Sequence, residues 1–383
     1  MKELLTGNYA VAEAVRLARV QLVAAYPITP QTPIYEKLSE MEMEGKLKGI
    51  MMRMESEHSA MAAVVAASLT GVRTFTATAS QGIALMHEML HFASGNRVPV
   101  VMCNVNRVIA IPWAFGSDQS DSLSQRDTGW LQFYCEDAQE ACDTVIQAYR
   151  IAEQILLPIM VCMDGFFTSH FLEPIEIPDQ ASIDAFLPPF SLPTRFDIHN
   201  PAYIANVINA DQYMQYRQRT FEDMEKAKTI IKEADREYRE IVGRGYDMIE
   251  AIDTDDAEIV LVTSGAMTST ARMAIQSLRD KGYKAGLLKM KAFRPFPTVE
   301  VQEALKDIPR IAVLDRNISI GKEGIWCQEL KAALYHLDHR PLVTGYIAGI
   351  CGSDVSPDMI EGMVLDALNR KETAKSPVWV RRN

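Results

Sequence analysis

Short apolar runs alternate with longer amphipathic stretches through the first half of the chain, at the spacing of strand–helix units. The apolar runs predict strands at 20–25, 50–54, 73–79, 99–105, 130–134 and 157–163. The amphipathic stretches predict helices between these strands, notably over 58–69, 83–94 and 139–154. Because alternating strands and helices build βαβ units, we expect a mostly parallel sheet with helices on both faces.

The pattern changes after residue 172. Residues 173–212 are irregular and rich in proline, and a connection of that length is usually functional or interfacial. Residues 213–244 then predict a long, charged, amphipathic helix, which we interpret as a bridge between domains. A second α/β set follows, with strands at 258–263, 285–290, 311–315 and 342–347 and helices over 267–281, 299–307, 324–337 and 357–369.

The length of 383 residues also favours more than one domain. We therefore expect an α/β protein of two domains, 1–245 and 246–383, each with a mostly parallel sheet flanked by helices. The net charge of −11, without a long basic run, argues against nucleic acid or an anionic membrane as a partner. No signal-peptide pattern and no apolar run of about 18 residues occurs, so we expect a cytoplasmic protein without a membrane span.

The six cysteines are scattered along the chain and form no Cys-x-x-Cys pair. Several lie in apolar runs, which indicates buried free thiols. Their spacing supports neither a zinc site nor an iron–sulfur cluster, so no metal centre is expected on this chain. His87-Glu-Met-Leu-His91 has the form of a zinc-protease motif, but the pattern is short and has no convincing third ligand, so we set the metalloprotease interpretation aside.

Two stretches combine unusual chemistry with a strand end. Prolines 27, 30 and 33 hold the segment after the strand at 20–25 in a stiff loop that contains Thr29. Glu57 follows the strand at 50–54, where a helix begins. Ligands of open α/β sheets bind beyond the carboxyl ends of strands, so the Thr29 loop and the Glu57 carboxylate are expected to face one crevice. Taken alone, Glu57 is more typical of an ordinary first helical turn, and Thr29 of a turn between prolines; only the combined pattern favours a functional role.

Six segments in this order resemble the α subunit of the thiamine-diphosphate-dependent 2-oxoacid:acceptor oxidoreductases, pyruvate:ferredoxin type, over essentially the whole chain. They are Tyr26-Pro-Ile-Thr-Pro30, Glu55-Ser-Glu-His-Ser59, Thr76-Ala-Thr-Ala-Ser-Gln-Gly82, Asn106-Arg107, Gln125-Arg-Asp-Thr-Gly129 and Phe293-Arg-Pro-Phe-Pro297. The resemblance implies a pyrimidine-type thiamine-diphosphate-binding domain over 1–245. It implies a transketolase C-terminal-like domain over 246–383.

The resemblance also implies roles for individual residues. Glu57 is expected to be catalytic, through a hydrogen bond to N1′ of the cofactor's aminopyrimidine that helps to remove the C2 proton of the thiazolium. Thr29 and Arg107 are expected to bind the 2-oxoacid, since a guanidinium can hold a carboxylate through two hydrogen bonds. The cofactor-binding residues are expected to be Tyr26, Ile28, Gln81 and, again, Glu57.

The chain lacks the Gly-Asp-Gly…Asn segment that holds Mg²⁺ and diphosphate in such enzymes; Met163-Asp-Gly-Phe166 is its nearest approach. The resemblance therefore implies a shared site. Mg²⁺ and the diphosphate half-site are expected on a β subunit, and [4Fe–4S] clusters on γ- and δ-type subunits. The implied reaction is oxidative decarboxylation of a 2-oxoacid, most readily pyruvate, to an acyl-coenzyme A, with electrons passed to ferredoxin.

Three alternatives stay open. Trp113 and Phe115 follow Arg107 in a stretch that departs from pyruvate-specific relatives, which often have an Asp-His pair where Asp118-Gln119 stands. The two aromatic residues either line a pocket for an aromatic 2-oxoacid such as phenylglyoxylate or pack against a partner subunit. The chain could also be a non-catalytic assembly subunit, or belong to a transketolase-like transferase that needs no electron acceptor.

Overall fold

The structure, a computed structural model, describes residues 2–201 and 203–382. Its strands are β1 (Lys2–Thr6), β2 (Leu22–Ala25), β3 (Ile50–Arg53), β4 (Thr74–Thr78), β5 (Val101–Asn106), β6 (Leu131–Tyr134), β7 (Ile159–Asp164), β8 (Leu172–Glu176), β9 (Ile249–Ile252), β10 (Ile259–Thr263), β11 (Ala285–Met290), β12 (Ala292–Arg294), β13 (Arg310–Asp315), β14 (Leu342–Ile347) and β15 (Val378–Trp379).

Its α-helices are α1 (Gly7–Leu17), α2 (Thr32–Met43), α3 (Glu57–Ser68), α4 (Gln81–Gly95), α5 (Ser120–Leu123), α6 (Ala138–Ile155), α7 (Phe167–His170), α8 (Gln180–Phe186), α9 (Ala210–Val242), α10 (Met267–Asp280), α11 (Thr298–Leu305), α12 (Ile325–Leu334) and α13 (Pro357–Asn369); a 3₁₀ turn spans Ile350–Gly352. Among the described residues, no helix combines the length and the apolar character that a membrane crossing needs.

The first large sheet has the strand order β12-β6-β7-β5-β4-β2-β3. Strands β2 to β7 pair in parallel, as the alternating pattern predicts. Apart from the exposed edge strand β3, their runs are buried on both faces, since α1 and α6 cover one face and α3 and α4 contribute to the core on the other. The carboxyl ends of β2, β3, β4 and β5 therefore meet at one edge.

The second sheet has the order β15-β14-β13-β10-β11-β9. It is parallel except for β9, which pairs antiparallel with β11. Together with the first sheet, this confirms the predicted α/β architecture of mostly parallel sheets flanked by helices.

The two sheets share a core. Strand β12 comes from the second half of the chain but pairs antiparallel with β6 at the edge of the first sheet. Beside it, Tyr134, Phe293 and Trp326 pack edge to face, with ring centroids 4.7 to 6.2 Å apart. The boundary between residues 245 and 246 stays a prediction, and the strand β12 beyond it belongs to the first sheet.

The long charged helix predicted over 213–244 is observed as α9, Ala210–Val242. It begins at Asn209, whose side chain accepts a hydrogen bond from the Gln212 backbone N–H, and it ends at Gly243 in a left-handed conformation (φ 85°). Its buried stripe, which includes Ile231 and Tyr238, belongs to the same core cluster as α6. The helix thus packs against α6, which covers the first sheet, before the chain enters β9.

Residues 173–212 are more regular than the proline content predicts. Strand β8 pairs antiparallel with β1 in a separate two-stranded sheet, and α8 begins where Asp179 accepts a hydrogen bond from the Ser182 N–H at 3.0 Å. The expectation of an irregular segment is wrong over these elements, because a local cap and an edge pairing are compatible with nearby prolines.

Candidate active site

Glu57 is the first residue of α3, directly after the turn that follows β3. The helix begins at Ser56, whose hydroxyl oxygen accepts a hydrogen bond from the Ser59 backbone N–H at 3.2 Å. Glu57 is only 7% exposed, whereas Glu55, two residues earlier, is exposed and accepts a hydrogen bond from the Ser59 hydroxyl. Burial raises the pKa of Glu57, although its own backbone N–H and the Arg107 charge act in the opposite direction. A carboxyl in this setting is suited to share a proton.

Gly82 keeps the space beside Glu57 open. It lies in the first turn of α4, which Ser80 enters with a positive φ of 52°. A Cβ atom at position 82 would lie 2.8 Å from Glu57 Oε1 and closer still to Thr78 Oγ1. Only glycine fits at this position without displacing a neighbour, so the backbone of α4 approaches the Glu57 carboxyl closely.

Arg107 brings three of the predicted residues together. It follows β5 and is 5% exposed. Its Nη1 donates to the Thr29 carbonyl oxygen at 2.6 Å, and its Nη2 donates to Gln81 Oε1 at 2.7 Å. Burial lowers the pKa of Arg107, while the nearby carboxylates of Glu57 and Asp121 oppose that shift. Each terminal nitrogen carries a second N–H, which can donate a hydrogen bond to a carboxylate.

The loop that contains Thr29 is anchored on both sides. Gln31 Nε2 donates to the Tyr26 carbonyl oxygen at 2.8 Å, and Asn8 Nδ2 donates to the Pro30 carbonyl oxygen at 3.0 Å. Thr29 and Tyr26 are exposed, and Ile28 is half-buried. The backbone of the loop is therefore held in place, while the side chains of Tyr26 and Thr29 are exposed.

Asp121 is a residue of this site whose role the sequence leaves open. The polar loop around it is compatible either with lining the site or with ion pairs at a subunit contact. The second interpretation is wrong for Asp121, since its carboxylate is fully buried and accepts hydrogen bonds from the backbone N–H groups of Ser80 and Arg107. Two asparagines inside the otherwise apolar strand β5, Asn104 and Asn106, are the signal for it, because they also donate to Asp121.

The loop after Arg107 is exposed at its middle and attached at its end. Trp113 is 70% and Phe115 60% exposed, and the Phe115 ring centroid lies 5.2 Å from the Arg107 guanidinium carbon. Gln119 then bonds to two residues of the second half: its Oε1 accepts from Trp326 Nε1 at 2.8 Å, and its Nε2 donates to Ser264 Oγ at 3.0 Å. The second half of the chain therefore holds the end of this loop.

Asp164, in the segment nearest to a magnesium motif, is also engaged with the second half. Its carboxylate accepts from Arg316 Nη1 at 2.5 Å and from the Ala266 backbone N–H at 2.7 Å. His87 and His91 are exposed on α4, and His87 Nδ1 is hydrogen-bonded to Gln125 Oε1 at 2.5 Å. Across residues 2–201 and 203–382, no group of three or more His, Cys, Asp or Glu side chains could hold a metal ion.

The cysteines are free, and five of the six are buried. Cys351 is the exception to the expected burial; it is exposed in the 3₁₀ turn, where its backbone carbonyl packs against Gly116 of the loop after Arg107.

Two family models match this sequence. The model for pyruvate flavodoxin/ferredoxin oxidoreductase, thiamine diphosphate-binding, matches residues 13–236. The model for pyruvate:ferredoxin oxidoreductase core domain II matches residues 257–360. The ketoisovalerate oxidoreductase subunit VorA of Pyrococcus abyssi is 45% identical over 98% of this chain and 95% of its own length. The pyruvate synthase subunit PorA of Methanothermobacter thermautotrophicus is 43% identical over 99% of this chain and 97% of its own.

Solved structures share the fold. A 2-oxoglutarate:ferredoxin oxidoreductase from Magnetococcus marinus, solved with 2-oxoglutarate, coenzyme A and succinyl-CoA bound, superposes with a TM-score of 0.73 at 19% identity. The match covers 96% of this chain and 65% of that longer one. A split-gene transketolase, an inactive β4 tetramer, superposes with a TM-score of 0.57 at 13% identity, over 96% of this chain and 99% of that one.

Proposed function

Because the chain belongs to the 2-oxoacid:ferredoxin oxidoreductase family, as an α-type subunit, we propose that it supplies one half of a thiamine diphosphate site that oxidises a 2-oxoacid. The observation that carries the proposal is the meeting of Glu57, Gln81, Arg107 and the Thr29 loop at the carboxyl ends of adjacent parallel strands.

The residues present fit the pyrimidine end of the cofactor. Glu57 offers a buried carboxyl with a raised pKa, and Gly82 leaves room beside that carboxyl. Thiamine diphosphate, when bound, would supply a thiazolium carbon able to add to a 2-oxo group. With the cofactor bound, Glu57 would hold a proton at the aminopyrimidine, and Tyr26, Ile28 and Gln81 would contact the cofactor.

Arg107 and Thr29 are proposed to bind the 2-oxoacid. Arg107 is held by Thr29 and Gln81 and keeps one free N–H on each terminal nitrogen, so it can donate two hydrogen bonds to a carboxylate. The Thr29 side chain is exposed on the anchored loop and can donate to the 2-oxo group. Together they orient the substrate beside Glu57.

Pyruvate is the proposed substrate, with a branched-chain 2-oxoacid as the second candidate. Relatives named for pyruvate and for ketoisovalerate are similar to this chain to nearly the same degree, 43% and 45%. The aromatic alternative depends on Trp113 and Phe115. Of these two, Phe115 supports that alternative, because its ring lies beside the Arg107 guanidinium that is proposed to bind the substrate.

The remaining parts of the enzyme are assigned to partners. We propose that a β subunit brings the diphosphate half-site and Mg²⁺, that γ- and δ-type subunits bring [4Fe–4S] clusters, and that coenzyme A is the acyl acceptor. The engagement of Asp164 with Arg316 supports this assignment, since the carboxylate nearest to a magnesium motif already has its partners. Free cysteines support a reducing compartment, and we propose the cytoplasm.

The decisive experiment compares Glu57→Gln with Glu55→Gln in the assembled complex. Oxidation of pyruvate, ketoisovalerate, phenylglyoxylate and 2-oxoglutarate is measured with a viologen acceptor, and complex size is measured by gel filtration. We expect Glu57→Gln to lose at least about 10²-fold in kcat with assembly intact, because a positioned proton-transfer group contributes roughly that much. Glu55→Gln should retain activity, since Glu55 is exposed. Unchanged activity in Glu57→Gln would favour a non-catalytic assembly subunit.

A further inference from the structure

The Asp121 carboxylate accepts five hydrogen bonds beside the candidate site, although the proposed chemistry gives it no role. We infer that Asp121 is a positioning residue, which fixes Arg107 and the Ser80–Gln81 turn relative to each other and so sets the geometry of 2-oxoacid binding. The inference rests on the proposed function, because it concerns how the substrate carboxylate is held.

Asp121 collects donors from three separate parts of the chain. Its Oδ2 accepts from the Ser80 N–H at 2.9 Å, from Asn104 Nδ2 at 3.1 Å and from the Arg107 N–H at 3.1 Å. Its Oδ1 accepts from Asn106 Nδ2 at 2.7 Å and from the Ser122 N–H at 2.8 Å. Strand β5, the start of α4 and α5 are thereby joined at one carboxylate.

Two of these donors belong directly to the substrate-binding machinery. The Arg107 N–H fixes the backbone from which the guanidinium extends. The Ser80 N–H fixes a residue with a positive φ of 52°, immediately before Gln81. Non-glycine residues rarely adopt this conformation unless surrounding contacts impose it. The Asp121 carboxylate is one such contact.

The same two segments meet again at their side chains. Arg107 Nη2 donates to Gln81 Oε1 at 2.7 Å, so backbone and side-chain contacts close a ring through Asp121, Ser80, Gln81 and Arg107. Asp121 is fully buried and contacts Arg107 through the backbone N–H, so it does not itself reach a substrate. Its effect on binding must pass through Arg107 and Gln81.

The test uses Asp121→Asn in the assembled complex, with Asp143→Asn as the matched control. Asp143 is likewise fully buried and accepts from the Tyr238 hydroxyl and the Arg244 guanidinium, but it shares none of the donors of Asp121. The measurements are KM and kcat for the 2-oxoacid that the wild type oxidises, and the dissociation constant of oxamate, an unreactive pyruvate analogue, by calorimetry.

We expect Asp121→Asn to weaken oxamate binding and raise KM by about ten- to a hundredfold, with a smaller change in kcat, because a displaced substrate clamp costs on that order. Asp143→Asn should lower thermal stability and leave KM and oxamate binding unchanged. Equal effects of the two substitutions on KM and oxamate binding would overturn the inference, because they would indicate general destabilisation.

A double-mutant cycle tests whether Asp121 acts through Arg107. Once Arg107→Lys has removed the guanidinium clamp, adding Asp121→Asn should change oxamate affinity by less than about twofold. If the double variant weakens oxamate binding by the product of the two single fold-changes, the inference is contradicted. If Asp121→Asn does not assemble, Asn104→Ala removes one donor and keeps the carboxylate; a KM raised severalfold supports positioning, and an unchanged KM opposes it.

The outcomes separate this inference from the proposed function. If Glu57→Gln retains turnover, the proposed function fails, whatever Asp121 does. If Glu57→Gln loses turnover while Asp121→Asn binds oxamate and 2-oxoacid as the wild type does, the positioning role alone fails.

Discussion

At the scale of single residues, the candidate site depends on how closely the backbone of α4 approaches Glu57. Gly82 provides that approach, and the carboxyl is buried partly by it. The position tolerates no added carbon, because both Thr78 and Glu57 already occupy the space in which a Cβ would stand. The burial of Glu57 therefore depends on Gly82, a residue without a side chain.

Replacement of Gly82 by alanine should push the Glu57 carboxyl away from its present position. We expect overpacking to lower the free energy of unfolding by about 1–3 kcal/mol. We also expect kcat to fall in complexes that remain folded, because the Glu57 carboxyl is displaced. Thermal unfolding and viologen-linked turnover of the complex measure the two effects.

Gly95, at the other end of α4, is the control for this substitution. A Cβ atom there meets nothing within 4 Å, so Gly95→Ala should gain up to about 1 kcal/mol of helix stability and leave turnover unchanged. A Gly82→Ala complex with wild-type kcat would show that the tight contact has no role in catalysis.

At the scale of elements, the strands that the sequence predicts well are those buried on both faces. Strands β2, β4 to β7, β10, β11, β13 and β14 are almost entirely buried, and the pattern identifies them within one or two residues. The edge strand β3 is also predicted, from its apolar residues. The other strands at sheet edges or in the small sheet, β1, β8, β9, β12 and β15, are short or carry polar residues, and their pairing depends on distant segments. No local pattern predicts them.

The same distinction applies to the site. Glu57, Thr29 and Arg107 follow predictable strands, so the rule that ligands bind at strand ends brings them together on the sequence alone. For Asp121 the sequence gives only an indirect signal, the two asparagines in β5, because the donors that surround its carboxylate lie up to 41 residues away in the chain. Local sequence shows a polar loop and does not show what surrounds it.

The cap of α3 is the element that sets the direction of Glu57. Replacement of Ser56 by alanine removes the hydrogen bond to the Ser59 N–H, which should cost about 1 kcal/mol and loosen the first helical turn. Because Glu57 is the first residue of that turn, we expect turnover to fall severalfold.

Helix α8 offers the comparison, since Asp179→Ala removes an equivalent cap far along the chain. Asp179→Ala should reduce thermal stability without reducing kcat. Equal kcat values in Ser56→Ala and Asp179→Ala would contradict the prediction.

At the scale of the whole molecule, the second half of the chain is part of the site's support. Besides the bonds of Gln119, the backbone carbonyl of Cys351 packs directly on Gly116, in the loop that follows Arg107. The two sheets are thus joined at their shared core and again beside the residues that we propose bind the substrate. This contact gives the second half a role that the sequence leaves open.

Gly116→Ala tests this role. The new Cβ would overlap the Cys351 carbonyl, which is backbone and cannot rotate away, so the two segments must separate. We expect a loss of about 1–3 kcal/mol in stability and a higher KM for the 2-oxoacid. Gly362→Ala, where a Cβ meets nothing within 4 Å, should change neither KM nor kcat. An unaltered KM in Gly116→Ala would mean that the loop keeps its position without the second half.

A buried ion network provides a further link between the halves and makes the stability of the chain sensitive to acid. Glu136, between β6 and α6, is paired with Arg272 of α10 and Lys289 of β11 at 2.8 and 2.9 Å. Burial alone would raise the pKa of Glu136, but its hydrogen bonds and charge interactions with Arg272 and Lys289 prevail and lower it to about 2. Since the folded pKa is lowered, this group stabilises the fold fully above about pH 4.5, and that contribution is lost as the pH falls towards 2.

Glu136→Gln lacks the titrating group and should therefore show a shallower decline in stability over that window. We expect the wild type to exceed Glu136→Gln by about 1–3 kcal/mol in unfolding free energy above pH 5, the partial exposure of Arg272 reducing the upper figure. The difference should shrink towards zero near pH 2. Urea unfolding of the purified chain at a series of pH values measures it, with Glu240→Gln on the exposed face of α9 as the control that should follow the wild-type curve. A difference that stays constant from pH 6 to pH 2 would show that Glu136 contributes through its shape, not through its charge.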